Sequence, residues 1–116
     1  MNIQIFGKSK CFDTKKAERY FKERKILFQY IDILDKGMSK GELEKIILAA
    51  NGIDKILDSK AKDQDKLMQL KYAKDQDRAN MLLENQHLIK TPVVRNSGKV
   101  TIGYEPEIWK MWETIK

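Results

Sequence analysis

Residues 2–34 read NIQIFGKSKCFDTKKAERYFKERKILFQYIDIL, and the changes of period within them decide the fold. From Asn2 to Phe6 apolar and polar residues alternate as in a strand, and Gly7 ends the run. From Asp13 to Arg24 the apolar residues Ala17, Tyr20 and Phe21 recur at helical spacing. Leu27 to Leu34 is rich in β-formers and predicts a second strand. Lys36-Gly37 breaks that strand. Ser39 then precedes Glu42 by three residues, the capping-box pattern that opens a helix through Leu43, Ile46, Ile47 and Ala50. Asn51-Gly52 stops this helix, because both residues tolerate positive φ. The order strand, helix, strand, helix implies two parallel strands joined by a right-handed crossover.

Working outward, residues 60–85 are polar and helical in character. The pentapeptide AKDQD occurs at 61–65 and again at 73–77, marking two helix starts with Asp63 and Asp75 as candidate caps. After Pro92 the period returns to two. Val93-Val94 starts a strand, Asn96-Ser97-Gly98 turns it, and Val100 to Ile102 completes a hairpin. Pro106 suits the first turn of a last helix, where Ile108, Met111, Trp112 and Ile115 form a stripe expected to pack on the sheet. Tyr20, Tyr30 and Tyr72 read as half-buried aromatics.

The chain has 116 residues, 41% of them hydrophobic, which suits one domain over residues 1–116 with one core. No apolar run approaches the roughly 18 residues of a membrane span, and the start MNIQIFGKSKCF lacks the apolar region of a signal peptide. A cytoplasmic protein is therefore expected. One cysteine excludes an internal disulfide framework and a Cys-rich zinc site, and the lone His87 makes no metal cage. His87 reads as a structural histidine with no evident carboxylate partner. The net charge of +6 is uneven: residues 1–40 hold ten Lys/Arg against five Asp/Glu, and residues 41–85 hold eight against nine. The basic residues are interleaved with acids and form no nucleic-acid motif, so direct nucleic-acid binding is not expected.

The basic surplus surrounds Cys11, at the junction of the first strand and first helix. A thiolate there meets the positive end of the helix dipole and free backbone N–H donors, with Lys10, Lys15 and Lys16 nearby and Asp13 opposing them. Elsewhere a lone cysteine is often a small buried hydrophobe. In this polar junction a reactive thiol is the stronger reading. Thr14 stands where a second cysteine would complete C-x-x-C. It cannot resolve a mixed disulfide, but its hydroxyl can donate to a thiolate or a bound oxyanion. Redox work at Cys11 must then be monothiol, completed by an external thiol.

Three stretches resemble one family. Cys11-Phe12-Asp13-Thr14-Lys15-Lys16-Ala17 is similar to the C-x-x-[CS]-[RK]-K-A entry of the arsenate reductase (ArsC)/Spx family. The run from Leu83 to Val94, LENQHLIKTPVV, resembles its L-x-N-P-x-L-I-K-R-P signature, and Ile102-Gly103-Tyr104 before Glu105-Pro106 resembles its closing turn. The resemblance implies a thioredoxin-like three-layer α/β/α sandwich: a four-stranded mixed sheet, an inserted helical segment, and a cis Pro92 facing Cys11. It implies that Cys11 is the nucleophile and that Thr14, Lys15, Lys60, Thr91 and Pro92 surround the substrate. No metal and no resident cofactor are implied; glutathione serves as co-substrate and glutaredoxin as partner to a monomer. Reductases of the family hold arsenate with three arginines. This chain has Lys60, Thr91 and Tyr104 at those positions and Gln86 in place of the usual proline, with Arg95 unplaced. Robust arsenate reduction is therefore not expected. The alternative implied by the resemblance is a Spx-like regulator that binds the C-terminal domain of the RNA polymerase α subunit.

Overall fold

The computed structural model of the chain describes residues 1–114. The first strand, β1 (Ile3–Gly7), leads through a short loop into α1 (Phe12–Glu23), and β2 (Phe28–Asp32) returns parallel to β1. Next come α2 (Lys40–Ala49), a 3-10 turn (Ile53–Ile56), α3 (Gln64–Lys71), α4 (Asp75–Glu84) and a second 3-10 turn (Gln86–Leu88). The hairpin β3 (Val93–Asn96) and β4 (Lys99–Ile102) precedes α5 (Pro106–Thr114). The sheet is mixed, in the order β2-β1-β3-β4, with β3 antiparallel to both β1 and β4. The fold is α/β, as the order of elements implied.

Two apolar layers flank this sheet. On one face Ile3, Ile5 and Val94 pack with Ala17, Tyr20 and Phe21 of α1 and with Trp109 and Trp112 of α5. On the other, Phe6, Ile31 and Val93 pack with Leu43 and Ile46 of α2, Leu67 and Leu70 of α3 and Leu82 of α4. The alternation of Ile5 with Phe6 and of Val93 with Val94 sends neighbouring residues to opposite layers. The result is the expected three-layer sandwich, with α3 and α4 as the inserted helical segment.

Several local expectations need correction. β2 stops at Asp32 instead of reaching Leu34, because the Asp32 carbonyl accepts from Lys36 N–H (2.9 Å) and its carboxylate from Leu34 N–H (2.9 Å), closing a turn. Asp63 caps α3, accepting from Lys66 N–H at 3.2 Å. Asp75, however, lies inside α4, whose N-cap is Lys74 without a side-chain bond. On α5 Trp112 packs inward as expected, but Ile108 and Met111 are 39% and 60% exposed and Trp109 faces inward in their place. Indole rings bury the most surface per residue, and Trp109 Nε1 finds a buried partner in Thr101 Oγ1 at 2.8 Å. Ile115 lies outside the described residues. Tyr20 is buried and Tyr72 exposed.

Helices α1 and α2 end in the same way. After α2, Asn51 (φ 65°) and Gly52 donate to Leu48 and Ile47 carbonyls; after α1, Lys25 (φ 58°) and Ile26 donate to Lys22 and Phe21. Each is a Schellman closure. In α1 the left-handed position is filled by a lysine, whose Cβ is disfavoured there by about 1–2 kcal/mol. Lys25→Gly relieves this at some entropic cost, so a net gain of about 0.5–1 kcal/mol is expected in urea unfolding. Gln86 has the opposite character. Its carboxamide accepts from Met38 N–H (2.7 Å) and donates to Met38 and Leu83 carbonyls (2.9 and 3.2 Å), sewing the approach to Pro92 onto the loop before α2. Gln86→Ala strips partners from these part-buried groups and is expected to cost about 1–3 kcal/mol in the same assay.

Candidate active site

The space at the head of α1 is created by a missing side chain. A Cβ on Gly7 would lie 2.9 Å from Thr14 Oγ1 and 3.1 Å from Tyr30 Cε1, so only glycine lets Thr14 seat against the end of β1. Thr14 is fully buried, and its Oγ1 accepts from Lys8 N–H at 3.4 Å. Cys11 follows as the N-cap of α1, with extended backbone (φ −85°, ψ 119°). The next residue, Phe12, is 80% exposed and places an aromatic ring on the surface beside the nucleophile candidate.

Across the loop, Thr91-Pro92 is a cis peptide bond. The thiol donates to the Thr91 carbonyl, Sγ to O 3.5 Å. As a neutral thiol it makes no capping bond to α1. The ionised sulfur is better served. Burial pushes the thiol up, but hydrogen bonds from the Thr14 and Thr91 hydroxyls and from the N–H groups of Thr14 and Asp13 outweigh it, so Cys11 titrates below an ordinary thiol. The lowering is local: Lys15 is exposed on a stripe with Glu18, Arg19 and Lys22, and Lys16 pairs with Asp13 (4.0 Å) and lies over the Tyr104 ring (5.6 Å).

Cys11, Thr14, Thr91 and Pro92 are thus brought together. Lys15 and Lys60 are exposed, the latter on a turn where its N–H donates to Asp58 Oδ1 at 2.9 Å. Arg95 is held away from the thiol: its Nε donates to the Ser97 carbonyl (3.1 Å) and its Nη1 to Gln4 (3.4 Å), toward the other end of β1. Tyr104 packs edge-on against Trp109 with ring centroids 5.5 Å apart. His87 does have a carboxylate partner, contrary to expectation: its Nε2 lies 2.9 Å from Asp63 Oδ2. That bond, with the Lys66 N–H, holds the Asp63 carboxyl below its ordinary value. The pair fastens the head of α3 to the 3-10 turn before Pro92.

Lys8 escaped the sequence reading altogether. Half-buried, it donates from Nζ to the carbonyls of His87 (2.9 Å) and Ile89 (2.8 Å). Burial pushes its ammonium down, while Asp58 and then Cys11 pull it back up. Tyr30 also borders the site; burial pushes its phenol up, and Asp32, Glu18 and Cys11 add to the effect. Among the described residues no cluster of metal-ligating side chains occurs, and no helix is long and apolar enough to cross a membrane.

The comparisons with known proteins agree with this geometry. Global transcriptional regulator Spx 2 of Oceanobacillus iheyensis is 27% identical over 109 residues, spanning 92% of this chain and 80% of that protein. Spx of Streptococcus mutans is 22% identical over 107 residues, spanning 90% of this chain and 78% of its own. Among solved structures, the arsenate reductase of Vibrio cholerae superposes with TM-score 0.80 at 21% identity, covering 93% of this chain and 94% of its own. An ArsC family related protein of Bacteroides fragilis gives TM-score 0.82 at 22% identity, covering 96% and 97%. At such identities these superpositions show a shared fold. The ArsC family model matches residues 6–111, from the last residues of β1 into α5, and the chain belongs to the ArsC family.

Proposed function

We propose that the protein is a monothiol oxidoreductase, with Cys11 as nucleophile and glutathione or glutaredoxin as the external thiol. One observation carries this reading: Cys11 is the N-cap of α1 with its Sγ 3.5 Å from the Thr91 carbonyl beside Pro92, in surroundings that favour the thiolate, and it has no second thiol to resolve a disulfide. On a glutathionylated substrate, R–S–S–G, the Cys11 thiolate attacks the glutathione sulfur. The Cys11–S–S–G bond forms, the original S–S bond of R–S–S–G breaks, and the departing R-thiolate takes a proton from solvent. A second glutathione thiolate, or that of glutaredoxin, then attacks the glutathione sulfur of the mixed disulfide and releases Cys11. With glutathione as reductant, R–S–S–G and one glutathione become R–SH and glutathione disulfide. Thr14, Thr91 and Pro92 border the reacting sulfur; Lys15 and Lys60 stay candidates for the charged ends of a larger substrate. Such a cycle needs a reducing compartment, which makes the cytoplasm the proposed location.

Arsenate is a poor candidate, since no bidentate guanidinium reaches the thiol: Arg95 is tied to Ser97 and Gln4, and Thr91 and Tyr104 are uncharged. A second reading, a Spx-like regulator acting through the RNA polymerase α subunit, is supported by the sequence similarity to Spx 2 and Spx. Retention of this chain on the immobilised C-terminal domain of the polymerase α subunit, unchanged in Cys11→Ser, would favour that reading over the enzymatic one.

Turnover of a glutathionylated peptide with glutathione and glutaredoxin should be lost in Cys11→Ser. Wild-type turnover below that of free glutathione alone would refute the oxidoreductase reading. Because the thiol midpoint lies below that of an ordinary thiol, the rate should persist to lower pH than for an unperturbed cysteine and fall as pH drops through that midpoint. Thr14→Val keeps the buried shape but removes one donor to the thiolate. Its alkylation by iodoacetamide at pH 6.5 is expected to be about tenfold slower, the worth of one hydrogen bond to a charged group, and unchanged at pH 10.

A further inference from the structure

Lys8 stands three residues before Cys11, where β1 has ended and the chain has not yet entered α1. Its Nζ donates to the carbonyls of His87 and Ile89, at 2.9 and 2.8 Å. Those carbonyls belong to the strip of backbone leading into Thr91, whose own carbonyl lies 3.5 Å from Cys11 Sγ. The strip is held on its other side by the segment after the first 3-10 turn: Asp58 N–H donates to Leu88 (2.8 Å) and Lys90 N–H to Ile56 (2.8 Å). An ammonium has three donors, so one N–H of Lys8 is left after its two carbonyls. A half-buried lysine loses rotamer freedom and hydration, and two neutral acceptors offset only part of that. The charges of Asp58 and Cys11 act on it from a distance. Coulomb attraction acts equally on both partners, so whatever Cys11 as a thiolate does for Lys8, Lys8 does for the thiolate.

We propose that Lys8 is a positioning residue for the nucleophile: its ammonium bolts the 87–89 backbone to the end of β1 and thereby sets the distance between Thr91 and Cys11 Sγ. The same group supplies the fixed positive charge of the site, partly neutralised by Asp58. The inference rests on the reading of Cys11 as a reactive thiolate. The other titratable side chain coupled to the sulfur is Tyr30 from β2, which is not cationic; Asp13 of α1 offers the sulfur its backbone N–H while its carboxylate pairs with Lys16.

The test is the pH profile of Cys11 alkylation by iodoacetamide in the full chain, for wild type, Lys8→Met, Lys8→Arg and Asp58→Asn. Lys8→Met is expected to be about tenfold slower at pH 6.5 and equal to wild type at pH 10, where every thiol is ionised; Lys8→Arg should return the pH 6.5 rate to within about twofold. Asp58→Asn keeps the oxygen that accepts from Lys60 N–H but removes the countercharge, and should be about two- to threefold faster than wild type at pH 6.5. A folded Lys8→Met with the wild-type profile overturns the proposal. If Lys8→Met does not fold, Asp58→Asn decides alone, and an unchanged profile overturns the electrostatic role of Lys8. A wild-type midpoint at or above that of an ordinary thiol sinks the nucleophile reading instead, and Lys8 is still judged by the differences between variants.

Discussion

The end of β1 and the first turn of α1 compete for one volume, and Gly7 yields it. With no Cβ on residue 7, Thr14 tucks beneath the strand, fully buried, and Tyr30 closes the space from β2. This close approach fixes where α1 begins. Once Thr14 is seated, Cys11 has to be the N-cap, and the first free N–H groups of the helix fall around its sulfur. The parallel β1–β2 pair, the crossover helix and the thiol are thus consequences of one packing contact. The charge on the sulfur is stabilised by donors already held in place by the fold, which need no rearrangement when the thiolate forms.

The opposite wall of the site is irregular backbone, and its polar groups are accounted for one by one. Between Asn85 and Pro92 the chain is neither long helix nor strand, yet it is fastened by Gln86 to Met38, by His87 to Asp63, by Lys8 to two carbonyls, and by the Leu57–Ile89 bridge. These partners come from four separate parts of the sequence. Where the family usually has proline, Gln86 achieves rigidity by bonding instead of by ring closure. The loop is therefore rigid through side chains drawn from the whole chain, and its geometry depends on the inserted helices as much as on the sheet.

That dependence explains which features were legible in the linear sequence. The strands, the capping box at Ser39, the stop at Asn51-Gly52 and the hairpin all follow from neighbours within a few residues, and each is found. Cys11, Thr14, Thr91 and Pro92 were legible because a strand–helix junction and a twelve-residue signature are local patterns. Lys8 was not, since its acceptors lie 79 and 81 residues away and a lysine in a loop carries no mark of them. The same holds for His87 and Asp63, which are 24 residues apart. The expected stripe on α5 is right at Trp112 and out of phase at Ile108 and Met111, because Trp109, one step round the helix, buries more surface than either. Asp75 failed as a cap because the chain before it already adopts the extended N-cap geometry at Lys74.

The placement of those two indoles has an optical consequence. Both tryptophans of the chain, Trp109 and Trp112, lie in the layer formed by α1 and α5, and the layer built from α2, α3 and α4 contains none. Intrinsic fluorescence therefore reports on one half of the core. Trp109 is ringed by Tyr20, Phe21 and Tyr104, with centroids 5.1 to 5.5 Å away, so its emission is that of a dry, aromatic environment as long as α5 stays docked. Loosening confined to the inserted helices, including the wall that carries Thr91, would be silent to this probe and visible to far-ultraviolet circular dichroism. Equilibrium unfolding followed by both signals distinguishes a core that melts as one body from a sheet that sheds one of its two covers.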